Sequence, residues 1–293
     1  MSNLRICGAN AVDDERCVLA CSVADVLDVE NLQNRQRGKI LRVAAGSGIT
    51  VTGTYGGEAV RASFMSMLRH NMTSDGTFRW QGYSDAAWTT QVIDTGTRDA
   101  VPTALLGELD FGIDELGYNI FSPTYRAKRS TVFFDDADMA AFSTEVILSW
   151  KLTLTDPDNP SLFIDLSRLW VGDYFELDDN PVYGAAMGWI DESSSWRTDA
   201  GGHRTDAALP YRGGKFDAQY LPETDRARWM ELSEFCGAGR RSFFCSWFPD
   251  NAVPKLTRDH EGEFVFKNPL PQLSHTEAEG GARFNTSVNL EEV

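Results

Sequence analysis

The chain has 293 residues, 42% of them hydrophobic and 24% charged, which is a globular composition with enough length for one large or two ordinary β domains. A formal net charge of −16 repels phosphate and supplies none of the counterion release that drives nucleic-acid binding, so duplex DNA is excluded as a ligand. No apolar run approaches the ~20 residues of a membrane helix, and Met1 to Arg5 leads into Cys7 with no apolar signal region, so a protein made in the cytoplasm without a membrane span is expected.

In chain order, residues 1–35 read as an arm with a first strand: the run from Arg16 to Leu27, R-C-V-L-A-C-S-V-A-D-V-L, fits a strand followed by a loop about as well as a helix. Ile40–Val43 and Ile49–Thr54 are β-prone runs separated by a hairpin-like Gly46-Ser47-Gly48, and Tyr55-Gly56-Gly57 turns the chain into a long strand from Val60. Strands are also expected at Thr77–Trp80 and Val92–Gly96. Between Thr97 and Ala137 the chain wanders as a long loop able to reach a neighbour, and Ser130–Phe134 resumes a strand. In Val146–Leu154 the residues Val146, Leu148, Trp150, Leu152 and Leu154 alternate with Ile147, Ser149, Lys151 and Thr153, the period of a strand with one buried face. Asp156-Pro157-Asp158-Asn159-Pro160 breaks it with a turn, and Leu162–Gly172 is expected to pair back on it as the centre of a sheet.

A domain boundary is placed near Asn180. Beyond it the polar stretch Asp191–His203 reads as a mobile hairpin tip or linker. Thr224 caps one helix, about 225–236, ended by Gly237 and flanked by strands at Lys215–Tyr220, Ser242–Phe248, Glu263–Lys267 and Arg283–Leu290. The fold class is therefore mainly β: a β-sandwich over 36–180, then a smaller α+β unit over 181–293.

Two stretches carry a resemblance. The order strand, Asp156-Pro157-Asp158-Asn159, strand ending Arg168-Leu169-Trp170-Val171-Gly172, then Asn180-Pro181-Val182-Tyr183-Gly184, resembles tailed-bacteriophage virion proteins of the distal tail and baseplate. The run Val60 to Met72 with His70-Asn71-Met72, then Thr77-Phe78-Arg79-Trp80 and Asp94-Thr95-Gly96, is similar to the galactose-binding-like jelly rolls of such proteins. The resemblance implies a jelly roll followed by a tail-tube-like unit from about Tyr183 to Val293. That unit would close a ring, a homohexamer, against other tail tube, baseplate or fibre proteins, in a virion assembled in the host cytoplasm. Within it the acidic surface would line a conduit that does not hold DNA. It implies a structural protein with no active site; the rivals are a carbohydrate- or receptor-binding module and, more weakly, a hydrolase using paired acids.

No catalytic, cofactor or metal residue is assigned. Asp94-Thr95-Gly96 matches the aspartic-protease triplet, but occurs once and is also how a strand ends in a turn. Asp135, Asp136 and Asp138, or Asp156, Asp158 and Asn159, could ligate calcium, although Pro160 breaks the calcium-loop spacing and turn chemistry explains them. His70, His203, His260 and His275 stand far apart with no nucleophile signature. Gly53-Thr54-Tyr55-Gly56-Gly57 lacks the ending of a phosphate loop. The five cysteines, Cys7, Cys17, Cys21, Cys236 and Cys245, are expected as buried free thiols without a metal. Among eight tryptophans, Trp80 and Trp150 lie in strand patterns and belong to the core. Trp88 and Trp196 sit in polar surroundings and are the better ligand or partner candidates, beside Trp170 and Trp189.

Overall fold

The computed structural model describes residues 3–36, 38–101, 128–135, 138–139, 146–178, 186–197, 199, 201–249, 260–267, 271–278 and 281–293. In chain order the strands are β1 (Arg5–Cys7), β2 (Cys17–Cys21), β3 (Asp25–Leu27), β4 (Leu41–Ala44), β5 (Ile49–Tyr55), β6 (Val60–Arg61), β7 (Phe64–His70), β8 (Thr77–Tyr83), β9 (Gln91–Asp94), β10 (Arg98–Asp99), β11 (Lys128–Phe133), β12 (Val146–Ile147), β13 (Ser149–Thr155) and β14 (Phe163–Gly172). There follow β15 (Phe175–Glu176), β16 (Ala186–Ile190), β17 (Ser194–Arg197), β18 (His203–Asp206), β19 (Tyr211–Leu221), helix α1 (Glu223–Cys236), β20 (Phe243–Ser246), β21 (Glu261–Phe266), β22 (Ser274–Ala278) and β23 (Gly281–Glu292).

The chain divides into two units. The first, Ala9–Tyr174 with 251–259, is a β-sandwich. One antiparallel sheet runs β10-β8-β13-β5-β2 with β9 also on β8; the other runs β11-β7-β14-β4-β3. Val51, Phe78, Trp80, Trp150, Leu152 and Leu154 of the first sheet share one core with Leu41, Val43, Met65, Met67, Ile164 and Val171 of the second. Large side chains of this kind each contribute about 1.5–3 kcal/mol when fully buried. Trp150 needs room opposite: a Cβ at Gly53, its cross-strand partner, would lie 2.3 Å from the indole.

The expected strand Val146–Leu154 is broken at Leu148 into β12, which pairs with β6, and β13, and the expected Leu162–Gly172 is β14; β13 and β14 are not a hairpin. β13 pairs with β5 and β8 in one sheet and β14 with β4 and β7 in the other, so the turn between them crosses the sandwich. Its chemistry explains why. The buried Asp156 carboxylate accepts from the Thr73 N–H (2.8 Å), the Thr73 hydroxyl (2.7 Å) and Asn159 Nδ2 (2.9 Å). The turn is therefore tied to the segment after β7 and not to its own flanks. Gly46-Ser47-Gly48 is likewise no hairpin, because β4 and β5 belong to opposite sheets. The long strand from Val60 is broken at Ala62 and Ser63: β6 pairs with β12, while β7 enters the second sheet.

The 1–35 arm also divides differently from the expectation. Residues 9–35 belong to the sandwich, where Arg168, fully buried on β14, donates to both oxygens of Asp13 at 2.6 Å and to the Leu32 carbonyl at 3.2 Å. Residues 1–8 belong to the other unit, because β1 pairs with β15 and β20.

That second unit, Met1–Gly8 with 175–250 and 260–293, is an antiparallel sheet in the order β15-β1-β20-β21-β23-β19-β16, with β22 on β23, carrying α1 on one face. Trp229, Leu232 and Cys236 of the helix pack with Phe216, Phe243, Phe266 and Leu290. The helix starts at Glu223 behind Pro222, without the expected Thr224 cap, and ends on Gly237 at φ 57°. Asp225 in its first turn accepts from the Asp178 N–H at 2.9 Å. Of the Asp191–His203 stretch, Ser194–Arg197 is β17, which pairs antiparallel with β18 and continues the pairing of β16 with β19.

Candidate functional site

The chemistry-bearing motifs resolve into structural roles. Asp94 Oδ1 accepts from Arg79 Nε (2.8 Å) and the Gly96 N–H (3.0 Å), and Oδ2 accepts from Arg79 Nη2 and from Gln91 Nε2 (2.9 Å). The Arg79 guanidinium holds this carboxyl below its ordinary range, in a charged clamp between β8 and β9. A protease aspartate needs a second carboxylate sharing its proton, and its oxygens here are already taken by donors. Asp138 receives Arg98 Nη2 at 2.8 Å and hydrogen-bonds Asp135 within a turn; Asp136 lies outside the described residues.

His70 and Ser130 meet at 2.7 Å, yet they do not form a nucleophilic pair. The Ser130 hydroxyl donates to the Ala100 carbonyl at 2.5 Å, so His70 Nε2 is the donor to Oγ, the reverse of what general-base activation requires. His203 lies in the exposed hairpin, and His275 rests edge-on against Phe284. None of the five cysteines is in a disulfide, and no three metal-ligating side chains are grouped among the described residues. Burial pushes Cys17 up to about 12 and Cys236 up to about 11, well away from reactivity.

The tryptophans divide as their surroundings suggest. Trp80, Trp150 and Trp170 are buried, whereas Trp88 is 40% exposed, Trp189 60% and Trp196 51%. Trp88 stands out among the exposed ones by its backbone. It occupies the left-handed region at φ 55°, unusual for a bulky residue and costing about 1–3 kcal/mol.

The loop that imposes this conformation is built by Asp85. β8 and β9 form a hairpin closed by the Ser84 N–H on the Thr90 carbonyl (3.0 Å). Inside it the Asp85 carboxylate accepts from the N–H groups of Ala87 (2.8 Å), Thr89 (3.0 Å) and Thr90 (2.5 Å) and from the Thr89 hydroxyl (3.0 Å). These donors, the Thr89 N–H first, hold the Asp85 carboxyl far below its ordinary value. The loop is pinned to the sheet where Ser149 Oγ donates to the Asp85 carbonyl at 2.6 Å. At the hairpin base Gln81 Nε2 donates to Gln91 Oε1 (2.8 Å), and the Lys151 ammonium sits 5.8 Å from the Tyr83 ring centre. The Asp85-capped loop thus carries the exposed Trp88 at the tip of a hairpin whose base presents the carboxamides of Gln81 and Gln91, the Lys151 ammonium and the Tyr83 ring, so that one chain segment offers an apolar side chain and directional polar groups. The sequence reading singled out Trp88 but not its support; Asp85 followed by Thr89 and Thr90 is the signal of an aspartate-capped loop that could have revealed it.

No protein-family model matches the chain, and no curated protein matches it. Among solved structures it is similar to a carbohydrate-binding module of AlyQ in complex with 4,5-unsaturated mannuronic acid, at 16% identity and TM-score 0.33 over 53% of this chain and 92% of that one. It is also similar to the family 32 module of C. perfringens NanJ in complex with galactose, at 12% identity and TM-score 0.36 over 57% and 98%. A third is the lectin domain of lectinolysin complexed with Lewis B antigen, at 10% identity and TM-score 0.33 over 55% and 94%. At this level of likeness the sandwich assignment stands on the strand order and shared core described above.

Proposed function

We propose that the sandwich unit binds carbohydrate through the Ser84–Thr90 loop and that the protein acts by binding, without catalysis of its own. The observation that carries this reading is Trp88, an exposed indole fixed in a strained backbone conformation by four hydrogen bonds to Asp85. Strain of this kind persists only where the surroundings over-determine it, and the side chain that this backbone carries is 40% exposed. A pyranose stacks the C–H face of its ring on an indole and leaves its hydroxyls at the rim. The Lys151 ammonium and the second N–H of the Gln91 amide, whose first donates to Asp94, would supply donors for those hydroxyls. Preorganisation lowers the ordering cost of a weak contact. Glycan-array screening of the purified chain, followed by calorimetry on the best ligand, tests the reading: Trp88→Ala should abolish binding while leaving the circular-dichroism spectrum unchanged. An array without a hit, or a hit that Trp88→Ala leaves intact, refutes it.

A second reading is a structural role in a phage virion, with the second unit self-assembling as a ring in the tail. The observation in its favour is the β17–β18 hairpin, whose eight strand residues are all exposed and include Trp196, with Trp189 exposed on the preceding strand. A two-stranded ribbon buries too little to be stable alone in water, as suits an element covered in an assembly. Rings in negative-stain images of the purified protein, lost on Trp196→Asp, would support this reading; a single small particle at every concentration would remove it.

A further inference from the structure

We propose that two copies of this chain pair through β2 of the sandwich, as an isologous antiparallel dimer with its two-fold axis at Ala20. The argument begins with the edges of the two sheets. An open edge templates association unless it is short, charged, bulged or covered. Among the described residues three edges of the sandwich carry such guards. On the β9/β10 side, β10 is the two charged residues Arg98 and Asp99, and Asp94 of β9 is clamped to Arg79. β11 opens with Lys128-Arg129 and a register shift, and β3 is three residues long, begins with Asp25 and is bulged.

β2 carries neither a charge nor a bulge, and its outward backbone is covered at Cys17 by Asp14 and Gln33. From Cys17 to Ala24 the sequence is Cys-Val-Leu-Ala-Cys-Ser-Val-Ala, eight residues without a charge or a proline in a chain of net charge −16. Its register against β5 is unbroken. Val18 is 69% exposed, Ala20 and Val23 are exposed, and Val26 and Leu27 follow on β3. For two copies this acidic, an uncharged edge is where strands can meet without like charges face to face.

The ladder then sets the register. The Ser22 N–H bonds to the Thr50 carbonyl and the Gly56 N–H to the Arg16 carbonyl, so the even-numbered residues of this stretch point their backbone groups at β5 and the odd ones point outward. Of the odd ones, Cys17 is already satisfied: its N–H meets the Asp14 carbonyl at 2.8 Å and its carbonyl receives Gln33 Nε2 at 3.1 Å. Leu19 and Cys21 meet no outward backbone partner among the described residues. A two-fold at Ala20 sets Leu19 opposite Cys21 of the second copy and the reverse, which makes four N–H···O=C bonds and satisfies all four open groups. Ala20 then faces itself in a non-hydrogen-bonded pair, where Cα atoms approach to about 4.5 Å and a methyl is the side chain that fits. Val18 packs beside Ser22 of the second copy. The dimer carries two Trp88 loops, and a bivalent ligand would bind it more tightly than a single loop.

Mass photometry and sedimentation of the full chain from the micromolar to the high-micromolar range should show a concentration-dependent dimer. Its dimer fraction should rise with added salt, because salt screens the repulsion between two acidic copies. Ala20→Lys, an exposed position, should return the protein to monomer with an unchanged melting temperature. Ala20→Cys should give, under mild oxidation, a covalent dimer reversed by reductant, since cross-strand Cα atoms at that spacing suit a disulfide; Ala20→Ser and the wild type should not. A wild type that stays monomeric throughout overturns the proposal. So does a dimer that Ala20→Lys leaves intact and Ala20→Cys does not trap.

Discussion

The buried ion pair in the second unit allows a quantitative test of how that unit is held together. Arg212 on β19 and Glu292 on β23 are each 4% exposed and face one another in a fork: Nε to Oε2 at 3.0 Å and Nη2 to Oε1 at 2.8 Å. Nη2 also donates to the Glu261 carbonyl at 2.7 Å, and Gly262, at φ 155°, has no Cβ to displace it. Glu292→Gln keeps the shape and removes the charge, leaving a desolvated guanidinium at a cost of about 3–5 kcal/mol. Whole domains are stable by only about 5–15 kcal/mol, so this single change removes a large share. With roughly 3–6 °C of melting temperature per kcal/mol at this size, the calorimetric transition of the unit should fall by roughly 9–30 °C. The double variant Arg212→Met with Glu292→Leu removes both charges and should recover most of that loss, because desolvation of the pair offsets much of its attraction. A Glu292→Gln protein that melts within about 2 °C of wild type would refute the reasoning, since that is the effect of an exposed pair.

Gly53→Ala drives a methyl into the Trp150 indole and should destabilise the sandwich by about 1–3 kcal/mol in urea denaturation; an unchanged midpoint would contradict the packing. Asp85 has a folded-state pKa depressed below the ordinary ~3.9, so the order it gives the Trp88 loop is fully present above that value and is lost as pH falls through the folded one. Glycan affinity should therefore be flat from neutral pH to about pH 4 and weaken below it; a decline already between pH 7 and pH 5 would point to another group. At physiological salt the chain should not retard duplex DNA in a gel at micromolar concentration, given its charge of −16, and a salt-sensitive shift would contradict the use made of net charge.

Much of the fold was legible in the sequence because period-two alternation survives single-sequence reading. Thr77–Trp80 and Ile49–Thr54 became strands whose apolar face is the core, and so did the second half of Val146–Leu154; its first half, β12, is a separate strand in which Ile147 and not Val146 or Leu148 is buried. Connectivity was not legible. Asp156-Pro157-Asp158-Asn159 looks the same whether a turn returns to its own sheet or crosses to the opposite one; the difference lies in Thr73, 83 residues away, which captures Asp156. The joining of β1 to the second unit is equally long-range, since its partners are Phe175–Glu176 and Phe244–Ser246. At the site, the polar surroundings of Trp88 were readable, whereas its left-handed backbone depends on the summed geometry of one carboxylate and four donors. The D-T-G triplet shows the converse. Its residues were visible at once, and only the arrival of Arg79 at Asp94 shows what they do.

The central claim is that a preorganised Trp88 recognises carbohydrate, and intrinsic-fluorescence titration of the wild type against Trp88→Phe, Trp88→Ala and Asp85→Ala measures it most directly. The account predicts saturable binding of a glycan by the wild type, weakened binding by Trp88→Phe, none by Trp88→Ala, and a large loss in Asp85→Ala, where the indole is intact but no longer held. Equal affinity of Asp85→Ala and the wild type would contradict it.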